Sequence, residues 1–121
     1  EEKLNIKTVC MDLNYWEAKE KYDVIVASYL HMSKNERVEL FKNIENSLNI
    51  NGYFVAEFFS TKQINYSSGG PKDLDLLYTV EDFEKYFNSC KKEIREEIVV
   101  LDEGVGHQGE ASVIRVVIQK V

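Results

Sequence analysis

The feature that most constrains the fold is a pair of apolar runs on either side of a helical segment. Residues 23 to 30 (DVIVASYL) and 52 to 60 (GYFVAEFFS) are apolar on both strand faces, as in strands that helices cover on both sides. Ser33 and Glu36 form a capping-box pattern, which predicts a helix start between the two runs. Strand, helix and strand in this order predict a right-handed crossover and a parallel sheet.

The predicted helix has an apolar face and an end signal. Asn51-Gly52 predicts the helix end, because glycine tolerates the left-handed conformation found there. Upstream, residues 5 to 11 (NIKTVCM) predict a short strand that leads into Asp12. The apolar residues at helical spacing, all expected on one helix face, are Val38, Leu40, Phe41, Ile44 and Leu48.

The second half of the chain predicts a loop, a helix and a hairpin. Residues 61 to 78 are polar, and loops of this length in compact domains tend to be functional or disordered. Thr79 and Asp82 mark a helix start, with Phe83 and Phe87 one turn apart within that helix. Two apolar runs with a glycine-rich connection then predict an antiparallel hairpin, at residues 94 to 101 and 111 to 118.

Length and composition indicate one α/β domain over residues 1 to 121. The net charge is −6 and no basic stripe is present, so we expect no nucleic-acid binding by this chain.

No apolar run approaches the roughly 18 residues of a membrane span, and the N-terminus is charged, so we expect no membrane association and no signal peptide. Cys10 and Cys90 lack metal-type spacing, which predicts two buried thiols in a reducing, cytoplasmic setting.

Polar residues stand at or near the ends of the predicted strands, where open parallel sheets bind ligands. His107 and the loop Gly69-Gly70-Pro71 could reach the same edge. A carboxylate within an apolar strand is costly to bury alone, so it is either paired or functional. The residues at these strand ends are Asp12, Ser28, Tyr29, His31 and Glu57.

Two other kinds of site are disfavoured. Two histidines and several carboxylates could hold zinc, but no HExxH-like spacing and no paired cysteines are present, so we expect no metal. The sequence has no GxSxG elbow, and Ser60 and Ser67 have no recognisable base nearby, which argues against a hydrolase triad. An α/β domain without a ligand is the simplest alternative.

Long stretches of the chain resemble a known enzyme family. VCMDLNYW…YDVIVASYLHM…R…LFKNIENSLNINGYFVAEFFS resembles the second half of a class I S-adenosylmethionine-dependent methyltransferase. YSSGGPKDLDLLYTVEDFEKYF and LDEGVGHQGEASVIRVVIQK resemble one bacterial-type branch of small, stand-alone members. The resemblance covers the chain from about Ile6 onward. It implies an α/β, partial Rossmann-like sheet: strands three to seven of a seven-stranded, mostly parallel sheet, with the last strand antiparallel and helices on its flanks.

The resemblance also implies S-adenosylmethionine as cofactor and roles for particular residues. Asp12 and Leu13 occupy the place beside the adenine, and Ser28 and Tyr29 the place beside the methionine end. The sulfonium methyl is already activated, so such an enzyme mainly aligns donor and acceptor, and a base helps only if the acceptor must lose a proton. The resemblance implies candidates for substrate binding at Tyr66, Gly70 and Tyr78, and for catalysis at His31, Glu57 and His107.

Two parts of the family pattern have no counterpart in residues 1 to 121: the glycine-rich cofactor loop and the acidic residue that holds the ribose. In the family's sheet order, 3-2-1-4-5-7-6, strand four would then have a bare edge, which invites pairing. We therefore expect a fragment that methylates a small molecule only when an N-terminal half or a second copy completes it, and that alone is weak or inactive. The alternative is a non-catalytic, methyltransferase-like module that dimerises or binds a partner.

Overall fold

The structure, a computed structural model, describes residues 5 to 121. They contain one four-stranded sheet, in which the last strand of the chain lies between the second and the third. Three short 3-10 helices lie in the connections, at Leu13–Tyr15, Thr61–Asn65 and Leu74–Leu76. The strands and helices are β1 (Tyr22–Ser28), α1 (Lys34–Asn46), β2 (Leu48–Phe59), α2 (Val80–Lys85), β3 (Lys91–Asp102) and β4 (Gln108–Gln119).

The sheet is mixed. β1 and β2 pair in parallel and α1 connects them, as the strand-helix-strand pattern predicts. β3 and β4 form the predicted antiparallel hairpin, and β4 also pairs antiparallel with β2. Only one of the three strand pairings is parallel, because β4, the last strand of the chain, runs antiparallel to both of its neighbours. The other three strands run in the same direction as one another.

The predicted strand at residues 5 to 11 is absent: this segment is exposed and has no regular structure. A strand requires a neighbouring strand for its backbone hydrogen bonds, and none of the strands described between residues 5 and 121 runs beside this segment. The described sheet therefore has four strands rather than the five that the sequence predicts.

The start of α1 agrees with its capping box. The Ser33 side chain accepts a hydrogen bond from the Glu36 backbone N–H, and the Glu36 carboxylate accepts one from the Ser33 N–H. These contacts satisfy two of the N–H groups that a helix start leaves free. They fix the point at which the chain leaves β1 and enters α1.

We expect Ser33→Ala to lower the free energy of unfolding by about 1 kcal/mol, because the capping oxygen is lost. Urea denaturation of the two proteins measures the difference. Asn35→Ala, an exposed position in the first turn of the same helix, is the control and should change stability by less than about 0.5 kcal/mol. Equal stability of Ser33→Ala and the parent protein would contradict the capping role.

The buried face and the end of α1 differ from the prediction. Arg37 is buried where the spacing predicts Val38, which is 52% exposed. The helix ends at Asn46, and its cap Ser47 donates its N–H back to the last turn. Leu48 therefore begins β2. Asn51 and Gly52 lie inside β2, where the β1–β2 register shifts and Asn51 adopts a φ of 69°.

The main core lies between one face of the sheet and the two helices. Phe83 is buried on α2, as predicted, whereas Phe87 lies beyond the helix end and still packs its ring on Phe54. The core residues that carry this packing are Leu40, Phe41, Ile44, Phe54, Phe58, Tyr78, Phe83, Phe87, Ile114, Val116 and Ile118.

The opposite face of the sheet has no helix on it in the described residues. Val24 and Val26 of β1 are 55% and 67% exposed, and Val55 and Val117 beside them are also exposed. The expectation that helices cover both faces is therefore wrong for the chain between residues 5 and 121. On this face the exposed valines lie beside the charged side chains of Glu57, Arg95 and Arg115.

The two cysteines are both free, but they are not both buried. Cys10 is exposed, so that part of the prediction is wrong, and Cys90 is half-buried beside Glu45. Burial and, after it, the Glu45 carboxylate raise the pKa of the Cys90 thiol to about 11. No helix found between residues 5 and 121 has the length and apolar character needed to cross a lipid bilayer.

Candidate functional site

Three of the predicted site residues surround the ring of Phe59 at the end of β2. The Tyr29 ring centroid lies 4.7 Å from that of Phe59, and the His31 ring lies nearly parallel to it at 6.1 Å. Gly70 packs against the same ring, since a side chain there would place its first carbon 2.8 Å from Phe59 Cδ2. Phe59 is thus the centre of this group. That role is not predictable from the sequence, because a phenylalanine in an apolar strand looks like an ordinary core residue.

Tyr29 is held at the end of β1 by two contacts with Glu57. Its hydroxyl donates to Glu57 Oε2, and its backbone N–H donates to the Glu57 carbonyl at 2.7 Å. Tyr29 has a φ of 51°, a left-handed conformation that is strained for a residue with a side chain. Burial raises the pKa of the Tyr29 phenol, and the hydrogen bond to Glu57 raises it further. The phenol therefore remains a donor.

Glu57 is paired on both carboxylate oxygens, which explains a carboxylate in an apolar strand. Arg115 of β4 donates from Nε to Glu57 Oε1 at 2.6 Å and from Nη1 to Glu97 at 2.9 Å. The hydrogen bond to Glu57 raises the pKa of Arg115. We did not identify Arg115 from the sequence. A cation within the apolar run of residues 111 to 118 was the available signal, since a strand-borne carboxylate needs such a partner.

The two predicted histidines lie on different sides of the Gly69-Gly70 turn. His31 is exposed beside Phe59, and burial of part of its ring lowers its pKa below the ordinary 6.5. His107 lies in the turn between β3 and β4 with its ring against Gly69, where a side-chain carbon would come within 2.8 Å of Cδ2. The lowered pKa favours a neutral His31 imidazole, which is the form that can accept a proton.

A buried hydrogen-bond network fixes the loop that carries Gly69 and Gly70. The Gln63 side chain donates to Ser68 Oγ and to the Gly69 carbonyl, both at 3.0 Å. It also accepts the Ser112 backbone N–H of β4 at 2.8 Å. The loop is therefore anchored to β4.

An open, largely apolar cavity of about 230 Å³ lies beside β1 and contains two of the predicted cofactor residues. Leu13 and Ser28 both line it, together with Trp16, which no motif in the sequence marks as a site residue. Asp12 is exposed and caps the short helix Leu13–Tyr15 by accepting the Asn14 N–H at 2.9 Å. Asp12 thereby positions the segment that carries Leu13 and Trp16.

The remaining two predicted residues do not join the Phe59 group through their side chains. Tyr78 is buried in the core, where its ring stacks on Phe58 and its hydroxyl donates to the Leu30 carbonyl at 3.1 Å. Burial raises the pKa of Tyr78 to about 12. Tyr66 is half-buried at the end of the helix Thr61–Asn65, and its carbonyl accepts a hydrogen bond from Lys72. Their substrate-binding roles stay predictions.

Within residues 5 to 121, no group of three or more histidine, cysteine, aspartate or glutamate side chains is placed to hold a metal ion.

Neither a family model nor a curated protein matches the sequence.

Several solved structures share the fold. TehB from Haemophilus influenzae is 21% identical with a TM-score of 0.74, over 98% of this chain and 42% of that protein. An S-adenosylmethionine-dependent methyltransferase from Clostridium acetobutylicum ATCC 824 is 14% identical with a TM-score of 0.66, over 97% and 65%. The N-methyltransferase NodS from Bradyrhizobium japonicum WM9, in complex with S-adenosyl-L-homocysteine, is 10% identical with a TM-score of 0.62, over 91% and 52%.

This chain spans less than two thirds of the length of each of these proteins. At such low identity the similarity concerns the arrangement of the backbone. The chain therefore has the α/β fold of S-adenosylmethionine-dependent methyltransferases, over part of their length.

Proposed function

We propose that this chain is part of an S-adenosylmethionine-dependent methyltransferase that acts on a small-molecule acceptor. The observation that carries the proposal is the apolar cavity at Leu13 and Ser28, in a fold that such enzymes share. We assign β1, β2, β4 and β3 to strands four, five, seven and six of the family's sheet. The order β1-β2-β4-β3, with β4 antiparallel to its neighbours, supports this assignment.

The cavity fits part of the cofactor. Pockets that enclose ligands of this size usually measure roughly 300 Å³ or more, and apolar walls with an aromatic side chain suit a flat ring such as adenine. At about 230 Å³, the cavity has room for the ring but not for the whole cofactor. We therefore expect residues 1 to 121 to bind the cofactor weakly and to be weak or inactive alone.

When bound, S-adenosylmethionine supplies a methyl group that is already activated on sulfur. The chain's own residues would orient the reactants: Leu13 and Trp16 would hold the ring, and Ser28 and Tyr29 would lie beside the methionine end. A neutral His31 near the Phe59 ring could accept a proton from an acceptor that must lose one. His107 and Gly70 would border the acceptor.

The free edge of β1 supports a proposal about partners. Val24 and Val26 are exposed at this edge, and unpaired strand edges readily take up another strand. We propose that an N-terminal half or a second copy pairs there and completes the cofactor site, in the reducing cytoplasm that two free cysteines suit. The same edge favours the second candidate function, a non-catalytic module that dimerises through β1.

The test is a titration with S-adenosylhomocysteine, the demethylated cofactor, followed by amide NMR shifts. We expect weak binding, with shift changes concentrated at Leu13, Ser28 and Leu30. Ala27 also lines the cavity, so Ala27→Leu should fill it and weaken binding about tenfold, or ~1.4 kcal/mol. Val38→Leu, on the exposed side of α1, is the matched control and should bind as the parent does.

Absence of shift changes at millimolar ligand would overturn cofactor binding by this chain. If the protein also formed a dimer at low micromolar concentration, the non-catalytic module would become the better interpretation. Shift changes that are unaffected by Ala27→Leu would place the ligand elsewhere and would contradict the assignment of the cavity.

A further inference from the structure

Two buried side chains hold the backbone on both sides of His31. The Tyr78 hydroxyl donates to the carbonyl of Leu30 at 3.1 Å. Arg37 donates to the carbonyl of Met32 from Nε at 3.3 Å and from Nη2 at 3.0 Å. The Leu30 carbonyl belongs to the peptide group that joins Leu30 to His31, and the Met32 carbonyl to the group that joins Met32 to Ser33. The bonds therefore hold the backbone directly before His31 and one residue after it.

Arg37 and Tyr78 act as one unit. The Arg37 guanidinium carbon lies 3.7 Å from the centroid of the Tyr78 ring. Its Nη2 also donates to the carbonyls of Asp75 at 2.8 Å and Leu77 at 3.1 Å, and its Nη1 pairs with Asp82 at 3.3 Å. All three guanidinium nitrogens are therefore engaged. They tie α1 to the end of the long loop and to α2.

Packing alone does not account for a guanidinium at this position. Arg37 is fully buried, and apolar side chains that replace both partners of a buried ion pair often give equal or greater stability. An apolar side chain, however, cannot donate to backbone carbonyls. Residues 29 to 33 lie between β1 and α1, so the contacts that orient the Leu30 and Met32 carbonyls come from side chains.

We propose that Arg37 and Tyr78 are positioning residues for His31, which they hold with its imidazole against the Phe59 ring. The positioning is a property of this chain and can be measured without turnover. Its use rests on the proposed function: a fixed imidazole would accept the acceptor's proton from one defined direction, which a mobile side chain could not do as effectively.

The experiment follows His31 itself by NMR in the parent protein and two variants. Tyr78→Phe removes only the hydroxyl that donates to Leu30, and Arg37→Lys keeps the charge but loses the planar set of donors. Two signals are recorded: the pH midpoint of the His31 imidazole and the nuclear Overhauser effects between the His31 and Phe59 rings. Tyr86→Phe is the matched control, since it makes the same chemical change on a half-buried ring that packs on Phe41.

Burial holds the pKa of His31 below 6.5 in the parent protein, because the charged imidazolium is the form that burial disfavours. A released His31 gains water, so its midpoint should rise toward 6.5 in both variants while its contacts with Phe59 weaken. The shift should be larger in Arg37→Lys, which loosens more backbone contacts. Tyr86→Phe should leave both signals unchanged.

Unchanged midpoints and ring contacts in folded Tyr78→Phe and Arg37→Lys would overturn the proposal. If Arg37→Lys does not fold, Tyr78→Phe alone decides. A shift of equal size in Tyr86→Phe would also overturn it, because any loss of packing would then have the same effect. These outcomes are independent of the S-adenosylhomocysteine titration, so the positioning and the proposed function can fail separately.

Discussion

Phe41→Ala is expected to lower the free energy of unfolding by about 3–5 kcal/mol. Phe41 is 1% exposed and lies where α1 meets both α2 and the sheet. Removing its ring leaves a cavity that rigid aromatic neighbours cannot close by small movements. The rings in contact with it are those of Phe54, Phe58, Tyr78, Phe83, Tyr86 and Phe87.

Urea denaturation with a two-state fit measures this loss. Phe41→Leu keeps most of the apolar volume and should cost clearly less, and Val38→Ala, exposed on the same helix, should stay within about 0.5 kcal/mol. Domains usually have about 5–15 kcal/mol of stability, so Phe41→Ala should be prepared at low temperature or with osmolytes. A loss below about 1 kcal/mol would contradict the packing described for this ring.

Arg37→Met is expected to lower the free energy of unfolding by roughly 3–5 kcal/mol. Methionine fills much of the volume, so the loss comes mainly from polar groups that lose their partner. The carbonyls of Met32, Asp75 and Leu77 lose their guanidinium donors, and the Asp82 carboxylate loses its ion pair. The Asp82 side chain is 21% exposed, so water offsets part of its loss and the lower end of the range is expected.

Chemical denaturation at neutral pH provides the measurement. Arg95→Met is the matched control, because the exposed Arg95 pairs with Glu93 and Glu97 at the surface of β3. Exposed ion pairs contribute only about 0–1 kcal/mol, so this control should change stability little. Similar losses in the two variants would show that Arg37 stabilises the protein no more than a surface arginine does.

Local patterns in the sequence predicted the elements that depend on neighbouring residues. Ser33 with Glu36 and Thr79 with Asp82 marked both helix starts, because the capping contacts join residues three positions apart. The hairpin followed from two apolar runs and the short connection between them. Residues 5 to 11 were wrongly predicted as a strand, because strand formation depends on a distant partner that apolar alternation does not reveal.

The choice of which side chains of α1 face the core shows a second limit of prediction from the sequence. At about 100° per residue, Arg37 lies near the centre of the face formed by Leu40, Phe41 and Ile44, and Val38 lies about 100° away from it. Hydrophobicity alone nevertheless favours the valine as the buried residue. The structure buries Arg37 instead, because backbone carbonyls far along the chain satisfy its donors. A pattern that scores each residue by its own polarity cannot anticipate such remote partners.

The candidate site was only partly predictable, because some of its residues are recognisable by their own polarity and others only by their neighbours in space. Tyr29, His31 and Glu57 stand out as polar residues at the ends of apolar strands, and the structure brings them close to one another. Phe59 and Arg115 do not stand out, because the importance of each depends on what packs beside it in three dimensions. The catalytic and binding roles assigned to all of these residues remain proposals.

The position of β4 has a consequence for folding during synthesis. β4 is the last of the four strands to leave the ribosome, yet it occupies the interior of the sheet and pairs with β2, from Tyr53 opposite Gln119 to Phe59 opposite Val113. Until it emerges, the nascent chain exposes the inner edge of β2 and the aromatic core. Native pairing between such distant residues also slows folding. Protection of the nascent chain, by a chaperone for example, would therefore matter most before residue 108 is made.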